Sequence, residues 1–485
     1  MNRRPLPALL LTCSVLVPAV RAADLIAIGT MSGTYEDFAV QTAAPLENGV
    51  PGNRLGGIGS GLAYAGGTTF LALPDRGPNA KPYNPLVDDT VSFIARFQTL
   101  NLSLAPAADP LTGLPFTLTP MLVDTTLLSS PTPLVYGDGA GLGFQIDGVT
   151  PLGSGAPALN AVDHTHYFTG RSDNFDPARP STDPHDARLD PESIRVASDG
   201  RTVFISDEYG PYVYQFDRLS GRRLRSFALP ANLAITTLSP QKDVEIAGNT
   251  VGRVTNKGME GLALTPDGRT LVGIMQANLE QDKKNFLRIV TIDLRTGATH
   301  EYAYHLTDGS GVSEIVAVNN HEFLVDERDG NGMGDTPLLT DTASAAVVKE
   351  LFLIDLAGAT DVTGITGPKA DLSPYAVPKT LILDIVAKLT AAGIDPHLIP
   401  SKIEGLAFGQ DVVIGGVTKH TLYVANDNDF LSVIADPLKA PGDPTRGWVT
   451  HPNQFYVFAF DPSELPGYVP QRIAPFPDED DRGRH

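Results

Sequence analysis

One pattern recurs along the 485 residues and limits what they can fold into. A polar residue leads a short apolar run, a turn follows, and a second apolar run ends in a polar cluster. It occurs as "SGLAYAGGTTFLALPDRG" from Ser60, "ESIRVASDGRTVFISDEYG" from Glu192 and "EGLALTPDGRTLVGIMQ" from Glu260. It returns as "EIVAVNNHEFLVDERDG" from Glu314 and "EGLAFGQDVVIGGVTKHTLYVANDND" from Glu404. Ser60 to Asp75, Glu192 to Asp207 and Glu260 to Met275 each span 15 positions; the Glu314 unit has a shorter turn and the Glu404 unit a longer one. A further apolar run follows four of the units: "YVYQFDRLSG", "FLRIVTIDLRTG", "KELFLIDLAG" and "NQFYVFAFDP".

Short apolar runs bounded by Asp-Gly and other turn signals are strands in hairpins. Self-similarity at a loose period means stacked or radially arranged units. Four-stranded units set around an axis hide their edges as a β-propeller. The expected class is therefore all-β, a propeller of six blades with long inserted loops. The sixth, degenerate blade is expected between Gly137 and Phe175, where "HTHYFTGRSDNF" resembles a second strand and its end. The run "DLIAIGT" from Asp24 is expected to close the ring beside "FYVFAF". A β-sandwich or two separate β domains is the rival, and the repeated units argue against it.

The chain begins "MNRRPLPALLLTCSVLVPAVRAAD": two arginines, an apolar stretch too short to span a bilayer, and small residues before Ala22. The expected organisation is a signal peptide over 1–22, one propeller domain over 23–475 and an acidic tail over 476–485. Export to the periplasm or outside the cell follows. The one cysteine, Cys13, lies in the leader, so the exported chain has no disulfide, thiolate nucleophile or thiolate-bound metal. A net charge of −20 repels nucleic acid and anionic membrane. The expected partner is a small-molecule ester bound by a monomer.

On a propeller, the leading residues Glu192, Glu260, Glu314 and Glu404 would share one register facing the axis, with Ser60 at the fifth place. Carboxylates converging on a partly dry channel repel one another unless a cation or shared protons compensate. The closing clusters supply more oxygen: Asp75, Asp207-Glu208, Glu327 with Asp329, and Asp427. Oxygen donors in this number suit Ca²⁺, or Mg²⁺, better than zinc. "ERDGNGMGD" from Glu327 has the texture of a calcium loop without the closing Glu of an EF-hand. The expected metal ligands are Glu192, Asp207, Glu260, Glu314, Glu327, Asp329 and Glu404, with Glu208 and Asp427 as candidate general bases. Arg76, Arg171 and Arg328 sit among acids at strand ends, as ion pairs or as anchors for an anionic substrate. The opposing account is plain: acids and Asn at strand ends cap turns, and any calcium could be purely structural. His164 and His166 in "DHTHY" are open between a metal pair and solvated histidines. No G-x-S-x-G elbow, phosphate-binding P-loop or H-E-x-x-H motif is present.

The motifs "FTGRSDNF", "DPESIRVASDGRTVFISDEYGPYVYQFD", "NKGMEGLALTPDGRTLVGIMQ", "FLVDERDG" and "KIEGLAF…LYVANDND", in that order, resemble the bacterial phytase-like family, described as having the esterase-like activity of phytase. The resemblance implies an exported propeller related to calcium-dependent propeller phytases and other metal-dependent propeller hydrolases. The chain departs from a uniform pattern at Met275-Gln276, which stand where other units carry acids. The expected function is a metal-dependent ester hydrolase, with phosphoesters slightly ahead. The alternatives are a carboxylesterase or lactonase, and a non-catalytic ligand-binding propeller with structural calcium.

Overall fold

The structure, a computed structural model, describes residues 23–476 apart from Pro211. The expected signal peptide, and the acidic tail beyond Phe476, lie outside the described residues. Five antiparallel four-stranded blades are arranged in sequence around an axis. The first comprises Gly61–Gly66, Thr69–Leu73, Arg96–Ala105 and Thr117–Leu127. The second comprises Pro191–Val196, Thr202–Asp207, Tyr212–Asp217 and Arg223–Ala228; the third Met259–Leu264, Thr270–Met275, Phe286–Asp293 and Thr299–His305. The fourth comprises Gly311–Ala317, Glu322–Arg328, Lys349–Asp355 and Lys379–Asp384. The fifth takes Lys402–Phe408, Val417–Asp427 and Asn453–Phe460 from the C-terminal region and its outermost strand, Asp24–Met31, from the N-terminal region. Each innermost strand touches the next, and the fifth touches the first. Closing the ring with strands from both ends of the sequence leaves no unpaired blade beside the closure.

The expected ring closure is present, with Asp24 opposite Ala459 and Met31 opposite Asn453. The expected sixth blade is not. Within 137–175 only His166–Tyr167 forms a strand, two residues paired with Ser129–Ser130. The segment is an insertion between the first two blades. Its apolar residues misled because they pack into an existing core: Phe168 is buried against Tyr214 and Phe216 of the second blade. Prolines at 131, 133, 151 and 157 remove the donors that a ladder would need.

The cores lie between neighbouring blades. Leu71, Leu73 and Phe97 of the first pack on Ile194, Val203 and Ile205 of the second, and each interface is built the same way from alternating inward residues. No helix among the described residues is long and apolar enough to cross a membrane.

At the lower end of the axis the C-terminal segment forms a strap. Val469 N–H donates to Val318 C=O, Gln471 Nε2 to Val196 C=O and Ala474 N–H to Ser198 C=O. Tyr468, Pro470 and Gln471 thereby cover an opening lined by Leu62, Leu264, Val316 and Leu406 from four inner strands.

Candidate functional site

The inner strands carry a local irregularity where their acids stand. In the third blade Met259 faces Met275 and Gly261 faces Ile274, so Glu260 is skipped by the ladder. In the fifth, Glu404 is skipped in the same way, and in the second the register jumps from Pro191 to Ile194 across Glu192. A β-bulge turns its extra residue out of the pleat, and these three bulges aim Glu192, Glu260 and Glu404 into one cavity of about 300 Å³ at the upper end of the axis. In the fourth blade the skipped residue is Ser313. Glu314 is one position out of register with the other three, which corrects the expectation of four equivalent glutamates.

That shift gives Glu314 a different task. It is fully buried, and it meets Arg195 at 2.9 Å while accepting from Ser193 Oγ, Leu262 N–H and Ile315 N–H. Arg195 also donates to Leu62 C=O and Ile315 C=O. The pair ties the second inner strand to the first, third and fourth, and it forms a plug between the acidic cavity and the strap. Burial holds the Glu314 carboxyl up at about 7 against Arg195.

Seven carboxyl groups line the upper cavity: Asp75, Asp190, Glu192, Glu208, Glu260, Glu404 and Asp429. Three cations share it: Arg76, Arg328 and Lys402. Arg76 holds Asp190 at 2.9 Å. Arg328 holds Glu404 at 2.5 Å and takes Ser313 Oγ as acceptor from Nε. Lys402 holds Asp427 and, at 2.9 Å, Asp429. With the cations spent this way, the remaining acids lack compensation. Glu192 forms no hydrogen bond or ion pair among the described residues; burial first, then Glu260, Asp190 and Glu208, push its carboxyl well above the ordinary range. Gln276 Nε2 donates to Glu260 Oε1 at 2.7 Å, while Oε2 is buried without a partner. Burial, then Glu208 and Glu404, push Glu260 well up. Burial raises Glu208 to about 8, although Gly258 N–H donates to it, and raises Asp75 to about 7.

Two groups of oxygens come within 4.8 Å of one another, Asp190 with Glu192 and Glu208, and Asp75 with Asp427 and Asp429. The first fits a divalent cation better. It contains an unpartnered carboxylate and a second carboxyl displaced toward its neutral form, and its donors are all oxygen. The second is already bridged by Lys402. Against the burial of Asp429, Lys402 holds that carboxyl below its ordinary value.

The structure brings Glu192, Glu208, Glu260, Glu404, Arg76 and Arg328 together, with Asp427 just behind them on Lys402. It does not bring the other expected residues to the cavity. Asp207 accepts from Asp190 N–H and Tyr209 N–H, so it orients the neighbours of Glu192. Glu327 is buried on Tyr304 Oη at 2.7 Å and on Lys379, in the wall between the third and fourth blades. Asp329 accepts from Val347 N–H and Val348 N–H and pairs with Lys349, which satisfies the glycine-rich loop without an ion. Arg171 is buried in the inserted segment on Asp173 and Gly153 C=O.

Asp190 and Lys402 were not singled out as site residues, yet each stands two positions before an axial glutamate. A charged residue two positions before the glutamate, in both "DPE" and "KIE", was the available signal.

The fold and site define a class of molecule in outline: a five-bladed propeller with an acid-rich pocket at one end of its axis. The chain belongs to the phytase-like family, described as "Esterase-like activity of phytase", whose sequence model matches residues 53–430. A relative from Arthroderma benhamiae, described as an uncharacterized secreted protein, is 29% identical over 331 residues, covering 58% of this chain and 60% of that one. The match thus spans less than two thirds of the relative's length. Solved structures with a similar course include a putative 6-phosphogluconolactonase from Bacteroides uniformis, at 13% identity and TM-score 0.30, covering 82% of this chain and 88% of that one. Another is a periplasmic gluconolactonase from Pseudomonas aeruginosa, at 11% identity and TM-score 0.30, covering 83% and 88%.

Proposed function

We propose that the protein is an exported, divalent-cation-assisted ester hydrolase acting in the upper axial cavity, with phosphoesters ahead of carboxylic esters. The observation that carries the reading is the charge imbalance of the cavity, where seven carboxyl groups face three cations that are already paired. Family membership supports ester chemistry.

Glu192, Glu208 and Asp190 would hold the ion, Ca²⁺ or Mg²⁺, with Glu260 beside them. Bound there, such an ion polarises an ester oxygen and lowers the pKa of a water. Glu260 Oε2, buried and unpartnered, would be the proton acceptor for an attacking water. Glu208, raised to about 8 without an ion, would give up its proton on binding one, which makes ion uptake pH-dependent. Asp427 is the less suitable base because Lys402 and Asp429 N–H already occupy it. Gln276 fixes the orientation of Glu260. Arg76, from the first blade, and Arg328, from the fourth, would offer positive charge to an anionic group, and the ion would supply the rest of the attraction that a −20 chain otherwise lacks.

A second reading, carboxylic esters or lactones, is favoured by one observation. Arg76 and Arg328 are each held by a carboxylate, which weakens them as phosphate anchors. The deciding experiment is product release from p-nitrophenyl phosphate, phytate and p-nitrophenyl acetate, each in EDTA and in calcium. Calcium-dependent phosphate release supports the first reading and acetate cleavage alone the second. Silence on all three, with a calcium-dependent rise in Tm, assigns the acids a structural role.

A further inference from the structure

The histidine-bearing segment that does not form a blade forms something else. His166–Tyr167 pairs with Ser129–Ser130, His166 opposite Ser130. On the other side of that two-residue strand, Ser129 bridges Arg222 of the second blade's outer hairpin, and Ser129 N–H donates to Gly221 C=O. Three segments distant in sequence therefore lie side by side and border a groove of about 540 Å³. This groove shares no residue with the axial cavity.

Its composition is unlike that of the rest of the chain. The sequence has 56 acids against 36 lysines and arginines, yet no carboxylate lines this groove. Arg222, His164 and His166 do, and none of the three side chains has a hydrogen-bond or ion-pair partner among the described residues. The hydroxyls of Thr126 and Ser129 also open onto it without a partner. Two acids close in sequence to the groove residues are engaged elsewhere: Asp163, exposed beside His164, accepts from Tyr167 Oη at 2.8 Å, and Asp217 from Ser220 Oγ at 2.7 Å. His164 is held in the left-handed region, φ 53°, which sets its side chain at the end of the helix Leu159–Asp163 and beside the groove.

We propose that this groove binds a tetrahedral oxyanion, a phosphate or sulfate group, between Arg222 and His166. An arginine fork matches such a group in charge and geometry. Imidazole N–H groups and hydroxyls supply the remaining donors. A divalent cation is disfavoured because Arg222 would repel it and no carboxylate is present to offset that charge. The groove's polar, carboxylate-free lining in an acidic protein directs anions here rather than to the axial cavity when no cation is bound.

The test uses the full chain in EDTA, with histidines isotope-labelled for NMR, titrated separately with inorganic phosphate, inorganic sulfate and glycerol phosphate. The expected result is saturable movement of the His164 and His166 imidazole signals. Arg222→Ala should weaken binding about tenfold, the loss of one charge-assisted contact. His166→Gln should weaken it while leaving Tm unchanged, and Arg295→Ala, on a distant exposed turn, should change neither. Response to glycerol phosphate but not to the inorganic ions would place the anion on an organic ester. No saturable shift with any of the three, or binding that Arg222→Ala leaves intact, would overturn the proposal. Movement with Zn²⁺ alone would also overturn it, in favour of a metal-binding histidine pair.

Discussion

Arg195 and Glu314 meet at 2.9 Å across the propeller axis, one from the inner strand of the second blade and one from that of the fourth. Both are buried. Breaking such a pair by removing one partner leaves an uncompensated buried charge, at a cost of about 3–5 kcal/mol. At pH 8, where Glu314 is ionised, Arg195→Met should therefore lower stability by about that much in chemical denaturation. A change below about 1 kcal/mol would show that the pair does not hold the inner strands together.

The axial carboxyls give the protein an unusual pH dependence. Glu208 at about 8, Asp75 and Glu314 at about 7, and the raised Glu192 and Glu260 all bind protons more tightly when folded than their ordinary carboxyl values. Between about pH 4.5 and about pH 8 the folded state thus holds protons that the unfolded chain has released. Stability must fall as pH rises through that window. Thermal melts in EDTA should show Tm highest near the lower end and declining toward pH 8. A Tm that rises over the same interval would mean that these groups are not raised.

Glu192→Gln separates charge repulsion from cation binding. In EDTA at pH 8 it removes one like charge from the cavity and should raise Tm slightly. In calcium it removes a donor, so the calcium-induced rise in Tm should shrink. If the variant and parent show the same calcium response, the ion is not bound at this cavity.

The C-terminal strap should matter to stability although it belongs to no blade. Leu465 is buried in the core between the fourth and fifth blades, beside Phe460 and Val318. Leu465→Ala should cost about 2–5 kcal/mol. Ending the chain after Glu464 should uncover the apolar lower opening and increase binding of a hydrophobic dye. Unchanged dye binding would mean that other residues close that end.

Much of the propeller was legible because a blade is a local object. Strand, turn and strand lie within about twenty residues, and alternating burial writes itself into the chain as alternating hydrophobicity. The same locality explains the error over the sixth blade. Phe168 and Tyr167 are apolar enough to pass for strand residues, but their partners are Tyr214, Phe216 and Ser129, in parts of the chain that no local pattern connects to them.

The candidate site divides in the same way. By itself the sequence determined that glutamates would stand at the starts of inner strands, that a run near Asp24 would complete the last blade, and that no thiolate was on offer beyond Cys13. Only the tertiary structure decided that Glu260 is turned out by a bulge while Glu314 is not. It alone decided that Lys402 neutralises Asp427 and Asp429, and that Glu192 faces the cavity unpaired. The reason is physical. Hydrophobic period is set by backbone geometry within a strand. The pairing of charges depends on which blades become neighbours and on a one-residue change of register, and a single skipped residue reverses the face on which a side chain lies.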